Sequence, residues 1–312
     1  IITGENEEIV RYKRSQPLMA DGTFSATYEF ETAALSGRNQ LVVEANPNQD
    51  QAELYDFNNL GIQEFFVEAD QRNPLLDVTF DGVRIMNGDI VSPKPTISIF
   101  LRDENQFLAL NDTSMMEVSV LSPSGDIERL ATNDSRLTFY PADEENLETK
   151  NEARIELRPE FSENGKHQLQ VKARDATGNN AGEYQYTVDF EVINEMQISN
   201  VFNYPNPFTT STQFVFTLTG EQLPEDMKIR IMTVSGRVIR EIEMHELGDL
   251  KIGLNRTDFK WDGTDEYGDR LANGVYLYQV LIRSQNGEDY EKFDTDTDQY
   301  FQGGIGKMVL IR

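Results

Sequence analysis

At 312 residues the chain has room for two or three domains of ordinary size, and its 38% hydrophobic and 10% aromatic content is enough to build packed cores. It contains no cysteine and only two histidines, His167 and His245. Thiol nucleophiles, disulfides, thiolate metal sites and a histidine metal cluster are thereby excluded, and a Ser-His-Asp triad would have to use one of those two histidines. The net charge of -26 repels phosphate backbones, so nucleic acid is not an expected partner.

The opening Ile1-Ile2-Thr3-Gly4 lacks a basic stretch followed by an apolar one, so no signal peptide is read there. Phe24, Ala26, Tyr28 and Phe30 alternate with polar neighbours, the period of a half-buried strand. Leu41, Val43 and Ala45 repeat the pattern, and Phe65, Val67 and Ala69 give a third run. Between the last two lies a loop rich in Asn, Asp and Gln. It offers Asp50, Glu53, Asp56 and Asn58, with Asn59, as hard oxygen ligands for a calcium ion. The spacing is not that of an EF-hand, and a polar turn bonded to its own backbone is the competing reading.

Asn73-Pro74 marks a linker. Beyond it, residues 96–101 form a strand. Met116, Val118 and Val120 form another, and so do Leu169, Val171 and Ala173. Tyr184, Tyr186, Val188, Phe190 and Val192 are the longest clean alternation in the chain. Residues 141–152 make an acidic loop. The composition shifts near residue 195: the net charge is -20 before residue 196 and -6 from there on.

In the last part, Phe214, Phe216 and Leu218 alternate, as do Met227, Ile229 and Ile231. Asn273-Gly274 is a turn dipeptide ahead of 275–282, a run apolar on both faces that suits a central strand. Trp261, the only tryptophan, is expected to plug the core. No stretch has a convincing helical period, and none approaches the roughly 18 apolar residues that a membrane-spanning helix needs. The fold class expected is all-β, a tandem of immunoglobulin-like β-sandwich domains, divided at 1–72, 73–195 and 196–312.

Three segments resemble known families. Residues 37–59, a strand followed by an Asp/Asn-rich loop, an acidic residue and Asn58-Asn59, resemble the last part of CARDB-like adhesion sandwiches. Such sandwiches have about seven strands, more than residues 1–72 hold, which points to a longer parent chain. Residues 167–192 resemble the last two strands of extracellular immunoglobulin-like modules. The third resemblance is the most specific. Tyr204-Pro205-Asn206-Pro207-Phe208, Ser211-Thr212, Ser235-Gly236-Arg237-Val238, Trp261-Asp262-Gly263, Asn273-Gly274-Val275-Tyr276 and Gly306-Lys307-Met308-Val309-Leu310 follow one another in order. This succession is similar to the C-terminal sorting domain of type IX secretion, a FlgD-like immunoglobulin fold.

That resemblance implies export through the periplasm to a secreted or outer-membrane-associated surface location. It implies recognition by the type IX translocon and its outer-membrane shuttle protein. The final strand, 307–312, is the expected element, read by β-augmentation of an open sheet edge. The insertion 287–304 would cover or expose that edge. The order of modules resembles the C-terminal region of gingipain-like surface peptidases, whose peptidase domain would lie ahead of residue 1. Within this chain no motif pairs a nucleophile with a base, so no catalytic residue is assigned. An adhesin or glycan-binding array with the same last domain is the alternative; a row of exposed aromatics would favour it. A flagellar hook cap, the other home of the FlgD-like fold, fits poorly with the sandwiches ahead of the last domain.

Overall fold

A computed structural model describes residues 2–3, 9–10, 35–49, 52–55, 57–182, 185–283, 291–292, 301–302 and 304–312, with the backbone path alone for 2–3, 9–10, 291–292 and 301–302. The chain divides into two compact units, Ile1–Arg72 and Asn73–Arg312. Among the described residues nearly every regular element is a strand, and no helix is long and apolar enough to cross a membrane.

The first unit is a sheet of β1 (Ile2–Thr3), β2 (Ile9–Val10), β3 (Gly37–Glu44) and β4 (Leu60–Val67), in the order β2-β1-β3-β4. β3 and β4 pair without interruption from Gly37 opposite Val67 to Glu44 opposite Leu60. The 24–30 alternation lies outside the described residues.

The second unit contains two sandwiches, each with its own core. The first uses β5 (Leu75–Phe80), β6 (Asp89–Val91), β7 (Ile97–Asp103), β8 (Met116–Leu121), β9 (Ile127–Arg129), β10 (Leu137–Tyr140), β11 (Asn151–Leu157), β12 (Gly165–Ala173) and β13 (Tyr186–Val192). They form sheets β10-β11-β7-β5 and β6-β13-β12-β8-β9. Every second side chain points inward, as the pleat requires. Ile97, Ile99 and Leu101 thus meet Ile155, Leu157, Leu169, Val171 and Phe190 in one core.

The second sandwich uses β14 (Gln197–Tyr204), β15 (Gln213–Leu218), β16 (Asp226–Thr233), β17 (Val238–Ile242), the one-turn α1 (Met244–Leu247), β18 (Gly253–Arg256), β19 (Gly274–Arg283), β20 (Glu291–Lys292), β21 (Phe301–Gln302) and β22 (Ile305–Leu310). Its sheets run β18-β15-β14-β20 and β17-β16-β19-β22-β21. β19 is central, in keeping with its apolar run. Phe214, Phe216, Leu218, Met227, Ile229 and Ile231 are all fully buried.

The two sandwiches of this unit pack together. Lys94 Nζ lies 3.1 Å from a Glu160 carboxylate oxygen and 2.9 Å from one of Glu221, linking one sandwich to the other. Gly253 has φ 97°, and a Cβ there would sit 2.5 Å from the Ile90 carbonyl oxygen. Only glycine offers both that backbone and that approach.

Candidate functional site

The candidate site grows from the end of β14. Asn203 is buried, and its Nδ2 donates to Pro205 O (3.2 Å) and to Thr212 Oγ1 (3.0 Å). Thr212 Oγ1 in turn donates to Pro205 O (2.8 Å), while Thr212 and Trp261 exchange two backbone hydrogen bonds of 2.9 Å. The Tyr204-Pro205 and Asn206-Pro207 peptide bonds are both cis. The hydrogen bonds among Asn203, Pro205, Thr212 and Trp261 hold the turn that delivers Asn206 and Phe208 to β22.

There the motif completes the sheet. Asn206 Nδ2 donates to Lys307 O (3.1 Å) and Asn206 Oδ1 accepts from Val309 N (3.0 Å). One side-chain amide thus offers the donor and acceptor that a neighbouring strand would offer. Phe208 continues the row with its backbone: its N–H donates to Val309 O (3.0 Å) and its carbonyl accepts from Ile311 N (2.9 Å). At the other end of the same strand, β21 pairs Gln302 with Ile305 and Phe301 with Gly306. The open edge expected for residues 307–312 is therefore not open. It is occupied by 206–208, and the described part of the 287–304 insertion adds a short strand beside its start. Sequence reasoning could not find this, because Asn206 meets a partner 103 residues away.

The pieces at 261–263 and 273–276 reach the same strand or Arg312 just after it, whereas 235–238 lies at the β16–β17 turn, away from it. Phe208 and Trp261 are both buried, with ring centroids 5.5 Å apart, and Trp261 meets Tyr276 edge-on at 5.7 Å. Trp261 Nε1 donates to Thr264 O (2.9 Å), so the expected core plug also satisfies its polar atom. Burial holds the Tyr276 phenol above its ordinary pKa, and its hydroxyl donates to Ala272 O (2.6 Å). Asn273 brackets the terminus: its Nδ2 donates to Arg312 O (3.0 Å) and its Oδ1 accepts from Arg312 N (2.9 Å). The Arg312 guanidinium donates to Asp262 O. Gly306 lies opposite Tyr278, whose buried hydroxyl donates to Val201 O (3.2 Å). Met308 and Leu310 are fully buried, Lys307 is exposed and Val309 is half-buried.

Because Asn206 is exposed, its clasp is expected to stabilise moderately. Asn206→Ala should cost about 1–2 kcal/mol, the worth of two hydrogen bonds. That corresponds to a melting point lower by about 3–6 °C for a unit of this size. An unchanged melting curve would show that water replaces the amide without loss.

The calcium loop is placed in part. Asp50 and Asp56 lie outside the described residues; Asn58 is exposed, and exposed Glu53 accepts a hydrogen bond from Asn59 Nδ2. In the 262–269 turn the carboxylates serve the backbone. Asp262 Oδ1 accepts from Thr264 N (3.1 Å), and Asp265 Oδ1 accepts from Tyr267 N and Asp269 N, both 2.9 Å.

His245 is exposed on α1. His167 is 4% exposed, stacked on Phe190 at 5.5 Å and beside Phe161 at 4.8 Å, with Nδ1 3.1 Å from Gly165 O. Burial pushes its pKa below the ordinary 6.5. A base held neutral in the fold but free to protonate when unfolded favours unfolding in acid. Stability of the first sandwich should therefore fall as pH drops below about 6.5, and His167→Phe should remove that slope. Parallel denaturation curves of the two proteins at pH 5 and pH 7 would refute this.

No family model and no curated protein matches this chain. Among solved structures it is similar to dimeric latent PorU from Porphyromonas gingivalis, with 16% identity and a TM-score of 0.30 over 88% of this chain and 24% of that one. It is similar to a tetra-tandem repeat from the extending region of a large adhesion protein, with 14% identity and a TM-score of 0.30 over 99% of this chain and 65% of that one. It is also similar to SGBP-B of the Bacteroides ovatus mixed-linkage glucan utilization locus, with 12% identity and a TM-score of 0.26 over 88% and 53%. This chain thus spans between 24% and 65% of those proteins. Likeness at this level carries no activity, ligand or partner over to it.

Proposed function

We propose that this chain is a non-catalytic C-terminal part of a larger, secreted, cell-surface bacterial protein. Its last sandwich, 196–312, is the signal that the type IX translocon and outer-membrane shuttle recognise. The sandwiches ahead of it are cargo, in the manner of gingipain-like surface peptidases. The observation that supports this reading is convergence. The pieces at 204–208, 261–263, 273–276 and 306–312 resemble the sorting-domain pattern in sequence; 204–208 and 274–276 flank β22, and Gly263 and Asn273 hold its end through Leu310 and Arg312. A set of motifs that builds one surface around one strand suits a domain read as a whole.

The test is export of a reporter fused ahead of the unit Asn73–Arg312 in a type IX-competent bacterium. Delivery to the surface, lost when the translocon gene is deleted, is the expected result. Equal retention in the periplasm of both strains would sink the reading. The adhesin or glycan-binding alternative gains from one observation, the exposed pair Phe202 and Tyr204.

A further inference from the structure

β14 breaks its own alternation. Ile198 and Ser199 are buried, Asn200 has φ 54°, and Val201 is buried again. The pairing with β15 slips between Ser199 and Phe202. Counted from Ile198 without that slip, Phe202 would point into the core, because strand side chains alternate with period 2. The bulge re-aims it to solvent, 42% exposed, with Tyr204 61% exposed two residues on.

The strand register extends this into a surface. Phe202 lies opposite Val215, and Val215 opposite Arg256; Tyr204 lies opposite Gln213; Thr217 lies opposite Leu254. Residues paired across strands share a face. The outer face of β14, β15 and β18 therefore carries two aromatics, two aliphatics, one arginine and several neutral polar groups; its open part centres on Phe202 and Tyr204, whereas Ser199 and Thr217 at the other end are buried. It carries no carboxylate among the described residues, in a chain with 54 Asp+Glu. Leu254, 61% exposed, also lines a groove of about 750 Å³ between the two sandwiches, where Met86 is 75% exposed. That groove also carries Asp89, Lys94 and Glu221, so the carboxylate-free surface ends at the junction.

We propose that this face is where the outer-membrane shuttle protein docks; the proposal rests on the sorting-domain reading above. The partner surface it fits is apolar at the centre and neutral or acidic at the rim. Such a surface meets repulsion over most of a chain of net charge -26, but only Arg256 here. The β22 edge is already occupied, whereas this face is reachable with every hydrogen bond of the fold in place. Two copies of the chain repel one another by the same charge, which disfavours a homodimer.

The experiment measures binding of the full chain to the detergent-solubilised type IX shuttle by interferometry. Variants are Phe202→Thr, which lies outside the 204–208 motif, the double variant Phe202→Thr/Tyr204→Thr, and Arg256→Glu. All three positions are exposed and threonine suits a strand, so unchanged melting curves certify the fold. The double variant is expected to bind about 30-fold more weakly, with Phe202→Thr alone giving a clear part of that loss. Arg256→Glu is expected to slow association in a salt-dependent way. Wild-type binding with no effect of the double variant overturns the docking face and leaves the sorting reading standing. No binding of the wild type overturns both. If the double variant loses retention on a neutral β-glucan gel while shuttle affinity is unchanged, the face is a glycan platform and the proposal is wrong.

Discussion

Gly306→Ala is expected to be among the most damaging single methyl additions in the chain. The new Cβ would fall inside van der Waals contact of Tyr278 Cζ and Oη, and 2.5 Å from its Cε1. Tyr278 cannot retreat. It is 1% exposed, its ring meets Phe214 edge-on at 5.1 Å, and its hydroxyl is bonded to Val201 O. Overpacking of this kind costs about 1–3 kcal/mol, and an orphaned buried hydroxyl adds about 1–3 more. A loss near 3–4 kcal/mol, or roughly 10 °C in melting temperature, follows. Trp261 fluorescence reports it cleanly, since the chain has one tryptophan and it sits in this core. The cause is testable by a double-mutant cycle. With Tyr278→Leu in place the alanine should cost far less; an undiminished cost would mean that the ring is not the obstacle.

Deleting residues 307–312 should unfold the last sandwich rather than merely remove a recognised sequence. Met308 and Leu310 are both 0% exposed. Truncating a buried Met or Leu costs about 2–5 kcal/mol, so losing both approaches the 5–15 kcal/mol by which a whole domain is stable. The deletion also strips β19 of its neighbour on one side, leaving β16 on the other, and leaves Phe208 N–H and C=O unpaired in the sheet. The expected result is one cooperative transition, from the Val78–Val192 core, and red-shifted Trp261 emission. A native-like second transition would sink the claim. The practical consequence is that lost shuttle binding by this truncation says nothing about recognition. Substitution of exposed Lys307 is the cleaner probe.

Much of the fold is legible in the alternation itself. Met227, Ile229 and Ile231, or Val188, Phe190 and Val192, state their face unaided, because one side of each strand is dry. Phe202 is the counterexample. Its outward direction depends on a bulge at Asn200, and Asn at a positive φ is a common enough choice that no local signal marks it. The motifs at 204–208, 261–263 and 306–312 were legible as residues, but their joint purpose was not. Asn206 reads as one more polar turn residue until a strand 103 positions later arrives beside it. The expectation of an open final edge failed for the same reason: nothing near 307–312 in sequence announces what covers it.

The clasp also sets a timetable. Pairings over such a separation close late, since a long loop must be ordered before any contact rewards it. Until residues 305–310 are available, β19 is paired on one side only, by β16, and the Trp261–Phe208 side of the core stays wet. Any chain cut short of that point presents an unfinished hydrophobic slot instead of a folded end. Compactness of this domain is therefore a record that its last segment has been made and seated.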